Sequence, residues 1–200
     1  MANGQVITGF SKPVVALYSN SGSTVSYTGL TALARGVDVS MDIETEDDNN
    51  FYADNTLAES AGNTFNSGTV TLTVDGLKSA ARKMIMGLPT ATEVTVGALT
   101  VDVYDYDDRQ EKPYIGLGFI VRYMEDGVTS YVPYVLPKVI FADLGLEAET
   151  QEENIDFQTS EIEATILRDD SDNHRWQRIG ANQTTEALAY SVLQALLGGQ

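Results

Sequence analysis

The sequence predicts a mainly β protein: a two-sheet β-sandwich or barrel-like fold with a flanking α-helix, a long inter-strand loop and a C-terminal helix. Three observations carry this expectation. Residues 37–44 and 69–75 alternate apolar and polar side chains with period two, as half-buried strands do. Asp126-Gly127, set between two strand-like runs, is a hairpin signal. Helical spacing of apolar residues is confined to 77–87 and 184–197.

A chain of 200 residues can bury a substantial core without staples, so a single domain spanning 1–200 is expected. With 42% hydrophobic and 20% charged residues it falls in the globular range. The absence of cysteine excludes disulfides, thiolate metal sites and cysteine nucleophiles. No apolar run approaches the roughly 20 residues that span a bilayer, and residues 1–10 lack a secretion signal. Synthesis as a soluble cytoplasmic product, with no membrane partner, is the expectation. Twelve basic residues against twenty-nine acidic ones give a formal charge of -17, with a pI near 4.1. A field of that sign repels nucleic acid backbones.

Along the chain, residues 1–12 lack a clear period and predict an N-terminal arm or an edge strand awaiting a partner. A short strand follows over 14–18. The Ser-, Gly- and Thr-rich run 19–28 predicts a turn or loop. In the strand at 37–44, Val37, Val39, Met41 and Ile43 point one way. Asp38, Ser40, Asp42 and Glu44 point the other, so Asp38, Asp42 and Glu44 mark a charged outer face. Residues 45–68 form a long, weakly patterned excursion, and loops of that length tend to be functional. Its Phe51, Tyr52, Leu57 and Phe65 predict that something packs on it, such as a neighbouring subunit.

Val70, Leu72 and Val74 alternate with threonines in the next strand. The helix over 77–87 carries Leu77, Ala80, Ala81, Met84 and Ile85 on one stripe, with Lys78, Arg82 and Lys83 turned elsewhere. Strands are predicted at 93–96 and 100–106, then at 114–125 and 128–135 around the Asp126-Gly127 turn. Pro133 and Pro137 predict that the returning strand is an edge or irregular one. Extended structure restarts at 139–141, Ile162, Ala164 and Ile166 alternate in a last strand, and the C-terminal helix follows. A faint repeat, ETEDDN at 44–49 and ETQEEN at 149–154, suggests a pseudo-symmetric sandwich.

Signals for chemistry are weak. His174 lies in DDSDNHRW without a nucleophile motif, and is expected to be an exposed loop residue. Asp169, Asp170 and Asp172 approach a calcium loop, but His174 stands where such a loop needs Gly, and the bidentate Glu at its twelfth place is missing. Asp105, Asp107 and Asp108 read as a charged turn. Gly116 and Gly118 do not form a phosphate-binding pattern and predict strand packing or a bend. The tyrosines and Phe119 between 104 and 134 predict sheet and subunit packing. The expectation is a protein that is not an enzyme, with no catalytic residue, cofactor or metal.

Five phrases, in this order, resemble the major tail proteins of long, non-contractile bacteriophage tails, in particular those of phages of Gram-positive hosts. They are NFYADNTLAES at 50–60, FNSGTVTLTVDGL at 65–77, PYIGLGFIVRYMEDG at 113–127, YVLPKVIFAD at 134–143 and IDFQTSEIEATI at 155–166. The resemblance implies a virion structural subunit: two packed sheets with a flanking helix, and self-assembly into stacked, hexameric rings around a channel for DNA. It implies that 45–68 bridges rings and that the arm 1–12 orders on assembly. A tape-measure protein, a tail terminator and distal tail proteins would be partners, and DNA would pass without specific binding. Phe51, Tyr52, Leu57, Phe65, Lys78, Arg82 and Lys83 are candidate assembly contacts, and Asp38, Asp42 and Glu44 candidate lumen residues. The alternative function is a carbohydrate-binding β-sandwich module of an adhesin or phage baseplate.

Overall fold

The computed structural model describes residues 4–46, 49–61, 64–108, 110–146 and 158–198. It is mainly β, with 55% strand and 11% helix. The strands are β1 (Val6–Ser21), β2 (Thr24–Ala32), β3 (Gly36–Thr45), β4 (Asn49–Ala53), β5 (Thr56–Ala61), β6 (Phe65–Val74), β7 (Thr92–Val96), β8 (Leu99–Val103), β9 (Ile115–Glu125), β10 (Val128–Phe141), β11 (Ser160–Leu167) and β12 (Arg178–Ile179). The helices are α1 (Ser79–Met86) and α2 (Glu186–Leu196).

One antiparallel sheet runs in the order β2-β1-β9-β10-β11-β6-β3, with β12 on β10, while β4-β5 and β7-β8 are separate hairpins. The sandwich therefore comes from one sheet curling over itself. Phe10 of β1 closes against Gly36 at the start of β3, where a Cβ would stand 2.0 Å from the Phe10 ring. The space between holds the main core, including Leu72, Ile85, Leu117, Phe119, Leu136 and Ile166.

β9 is buried on both faces, because a second cluster covers its other side. Ala189, Leu193 and Leu197 of the C-terminal segment pack there on Val14, Ala16, Ile120 and Val135. Gly116 and Gly118 make this approach possible: a Cβ at either would lie 2.8 Å from Leu197. Thr185 caps α2, its side chain accepting from the Leu188 N–H at 3.3 Å. α1 ends in Gly87 with left-handed backbone. Asp126 and Gly127 both take positive φ, as a tight hairpin requires.

Four expectations are corrected. Residues 6–12 are not a free arm: they open β1 and pair with β9, from Val6 opposite Met124 to Ser11 opposite Ile120. Residues 19–28 are not a loop, since only Gly22-Ser23 turns and the flanks pair as β1 and β2. The excursion 45–68 contains a hairpin, β4-β5. β10 is central and not an edge, although it is irregular as its prolines predict. Its prolines are tolerated because the partner on that side is broken into short pieces. β12 pairs at Tyr134 and Val135, the Pro133 carbonyl accepts from Gly180, and Pro137 sits in a register shift. As for the repeat, 149–154 lies outside the described residues, but β3-β6 and β10-β11 are antiparallel pairs that meet at β6-β11.

Candidate functional site

The alternation that buries Val39, Met41 and Ile43 against the core turns Asp38, Asp42 and Glu44 outward, all exposed. Register decides what stands beside them. Asp38 lies opposite Thr73, Ser40 opposite Thr71, Asp42 opposite Thr69 and Glu44 opposite Ser67. On the far side of β6, Glu161 lies opposite Thr73 and Glu163 opposite Thr71. Both glutamates are exposed, while Ile162, Ala164 and Ile166 between them are buried.

The outer face of β11-β6-β3 is thus built from Asp, Glu, Ser and Thr, and none of the three strands contains a Lys or Arg. Ser67 Oγ donates to Glu44 at 2.8 Å along this face. The hydroxyls carry no charge and leave the carboxylates unneutralised. Sequence reasoning found the β3 carboxylates and missed Glu161 and Glu163, although the same alternation displays them.

Lys78, Arg82 and Lys83 are exposed on and before α1. Lys83 Nζ sits 5.2 Å from the centre of the Tyr104 ring. Glu44 accepts from Ser67 as above, and Glu46 from Thr64 Oγ1 at 2.7 Å. Phe65 is not a free assembly contact. It is buried, stacks on Trp176 at 4.8 Å between centroids, and its carbonyl accepts from Arg168. The side chains of Phe51, Tyr52 and Leu57 lie outside what is described, although their backbones form β4-β5.

The hairpin β7-β8 was foreseen as strands but not as a projecting surface. Val94 pairs with Val101, Val96 with Leu99 and Thr92 with Val103, while Glu93 opposes Asp102. One face is therefore aliphatic and the other acidic. Val94, Val96, Leu99, Val101 and Val103 are all 39–71% exposed. Neither strand hydrogen-bonds to the main sheet.

Residues 169–178 form a hydrogen-bonded corner. The buried Asp169 carboxylate accepts from the Ser171 N–H at 3.2 Å and the Arg175 N–H at 2.8 Å. Its Arg175 ion pair measures 3.3 Å. Asp170 turns away to Lys138 at 2.8 Å and Tyr18 at 2.6 Å. The carboxylates thus serve separate partners instead of converging. The Lys138 hydrogen bond, then that of Tyr18, holds the Asp170 carboxyl below the usual carboxylate range. Burial first, then the bond to Asp170, pushes the Tyr18 phenol up to about 12. His174 adopts positive φ in this turn.

The tyrosines divide between core and surface. Tyr134 stacks on Phe119 at 5.6 Å and shares a 2.8 Å hydroxyl contact with Tyr123. Burial, then that contact, pushes Tyr134 up to about 12. Tyr114 lies beside Tyr18 with Lys138 4.4 Å from its ring centre. Among the described residues, no helix is long and apolar enough to cross a membrane. No protein-family model and no curated protein matches this chain.

Proposed function

We propose that this chain is a structural subunit of a long bacteriophage tail, assembling with copies of itself into stacked rings around a channel for DNA. The observation that carries the reading is the three-stranded face of Asp38, Asp42, Glu44, Glu161 and Glu163 among serines and threonines. Duplex DNA carries about one negative charge per 1.7 Å of axis, and each Lys or Arg that neutralises a phosphate adds counterion-release affinity. A wall without basic residues offers the moving duplex no such adhesion point. On this reading the face lines the lumen.

The architecture fits repeated association. β2 and β3 are the ends of the sheet order, and edge strands are templates for pairing with another chain. β4-β5 and β7-β8 are hairpins outside that sheet. Two-stranded hairpins are marginal alone in water and gain stability from a partner surface. The hairpin β4-β5 lies in the segment 45–68, to which the resemblance assigns the bridge between rings. On the same reading, a tape-measure protein, a tail terminator and distal tail proteins are its partners in the virion.

Electron microscopy of the purified protein at high concentration tests the proposal. Hollow tubes are the expected image, with β3, β6 and β11 facing the channel in a reconstruction. Globules that never associate would reject it, and tubes with this face on the outer surface would reject the lumen assignment.

A further inference from the structure

We infer that the basic corner built by Arg35, Lys78 and Arg82 docks on the acidic end of a second copy, where hairpin β4-β5 leaves the β3-β6 pair. The inference rests on the self-assembly reading above and specifies one of its contacts.

The two surfaces stand at opposite ends of one ladder. β3 and β6 pair from Gly36 opposite Val74 to Thr45 opposite Phe65, a span of about 30 Å at roughly 3.3 Å per residue. At the first end the flanking turns are tied together. The Arg35 N–H donates to the Asp75 carboxylate at 2.9 Å, the Asp75 N–H donates to the Arg35 carbonyl at 3.1 Å, and the Lys78 N–H reaches the Leu33 carbonyl at 3.5 Å. Arg82 follows one helical turn beyond Lys78, to whose carbonyl its N–H donates at 2.9 Å, so the two side chains share one side of α1. All three cations are exposed. Arg35 also pairs with the Asp75 carboxylate, whereas among the described residues Lys78 and Arg82 form no ion pair. Asp38 and Glu161, opposite Thr73 near this end, stand on the outer wall of the sheet.

At the other end the Glu46 N–H donates to the Thr64 carbonyl at 2.9 Å. The ladder thereby continues into β4-β5, which turns at Asp54-Asn55. Glu46 and Asp54 are exposed, and from Gly36 to Leu77 the chain contains no Lys or Arg. Arg168 reaches this end from beyond β11, where it is engaged by the carbonyl and ring of Phe65.

Three arguments make a second copy the partner. Neither Lys78 nor Arg82 serves its own helix. Lys78 is the N-cap of α1 without a side-chain cap bond, and the first turn holds no acid, although a helix start favours Ser, Asp and negative charge. Residues that break the local rule mark a contact made elsewhere. Second, the length of the ladder exceeds the Debye length of about 8 Å at physiological ionic strength, so the two ends of one chain do not neutralise each other. Third, copies of a chain with net charge -17 repel on average, and association is favoured where cations meet carboxylates. Joining unlike ends leaves a basic and an acidic end free, a heterologous contact that repeats.

Charge exchange tests the contact. Lys78→Glu with Arg82→Glu reverses the corner, and Glu46→Lys with Asp54→Lys reverses its partner positions. In light scattering, each double variant alone should need a concentration at least about tenfold higher for half-assembly, because like charges are juxtaposed. The melting temperature of the corner variant should be unchanged or higher, since glutamates suit a helix start. An equal mixture of the two variants should assemble near the wild-type concentration, which a merely structural defect would not allow. Should Asp54→Lys lower the melting temperature at that positive φ, Asp54→Asn takes its place, because Asn tolerates such backbone. If the wild type assembles, and either variant assembles as readily or the mixture stays as impaired as its components, the docking is wrong and the tube reading survives. If the wild type stays monomeric at every concentration, both fall.

Discussion

β9 and hairpin β7-β8 are written in nearly the same alphabet, yet they occupy opposite extremes of the molecule. IGLGFIV in β9 is buried from Ile115 to Val121, whereas TEVTV and LTVDV are exposed at every position. β-Branched and aliphatic content specifies extended structure in both. What differs is cover. β9 has β1 and β10 on its edges, the core on one face and α2 on the other. Among the described residues, β7 and β8 pair only with each other. Alternation reports that a strand has an apolar face, and it is silent about whether this chain or another supplies the surface beneath.

The contrast can be broken most strongly from the β9 side. Phe119→Ala removes a ring packed between Phe10 and Tyr134, and should lower unfolding free energy by about 3–5 kcal/mol in chemical denaturation. Gly118→Val tests the other face. Its added atoms meet Leu197 and Leu193, so a loss of about 1–3 kcal/mol from overpacking is expected, with α2 amides exchanging faster. Thr185→Ala deletes the α2 cap and should cost about 1 kcal/mol.

On the hairpin, Val101→Thr should change monomer stability by no more than about 0.5 kcal/mol, while weakening assembly. A monomer loss as large as that of Phe119→Ala would mean the hairpin is packed in the free chain, and would end the comparison.

pH offers a further way to sharpen it, since the groups with shifted ionisation sit on the packed body. Tyr18 and Tyr134 are pushed up to about 12, mainly by burial. Their unfolded value is about 10. The stability they carry is complete below that value and is lost as pH rises towards 12. Asp170 is depressed, so its contribution is present above about pH 4 and disappears as pH falls through its folded value. Tyr134→Phe should reduce the alkaline loss in a pH series of thermal melts, whereas hairpin substitutions should leave the pH dependence unchanged.

Much of the fold was legible in local pattern. β3 and β6 follow from strict alternation, the β9-β10 turn from Asp126-Gly127, and α1 and α2 from apolar spacing, whereas the Thr185 cap of α2 emerged only in the structure. The outward carboxylates of β3 were legible for the same reason. Glu161 and Glu163 carried an equal signal but gained meaning only beside β6. Residues 6–12 were misread because Gly9 and the bulge near Pro13 interrupt the period of β1. Phe65 was misassigned because an aromatic beside a polar excursion looks the same whether it meets Trp176 or a neighbouring subunit.

The sequence by itself determined what each segment wants: extended backbone where β-branched residues alternate, turns at Asn, Asp and Gly, and a strong negative field from twenty-nine carboxylates. These are local or additive properties, set by a residue and its near neighbours. Tertiary structure alone decided which strands became neighbours. Register across β11-β6-β3 gathers carboxylates more than a hundred residues apart onto one wall, and the curl of the sheet, with α2 behind it, buries β9 twice. Those outcomes depend on packing between distant segments, and the period of a strand carries no information about its partner.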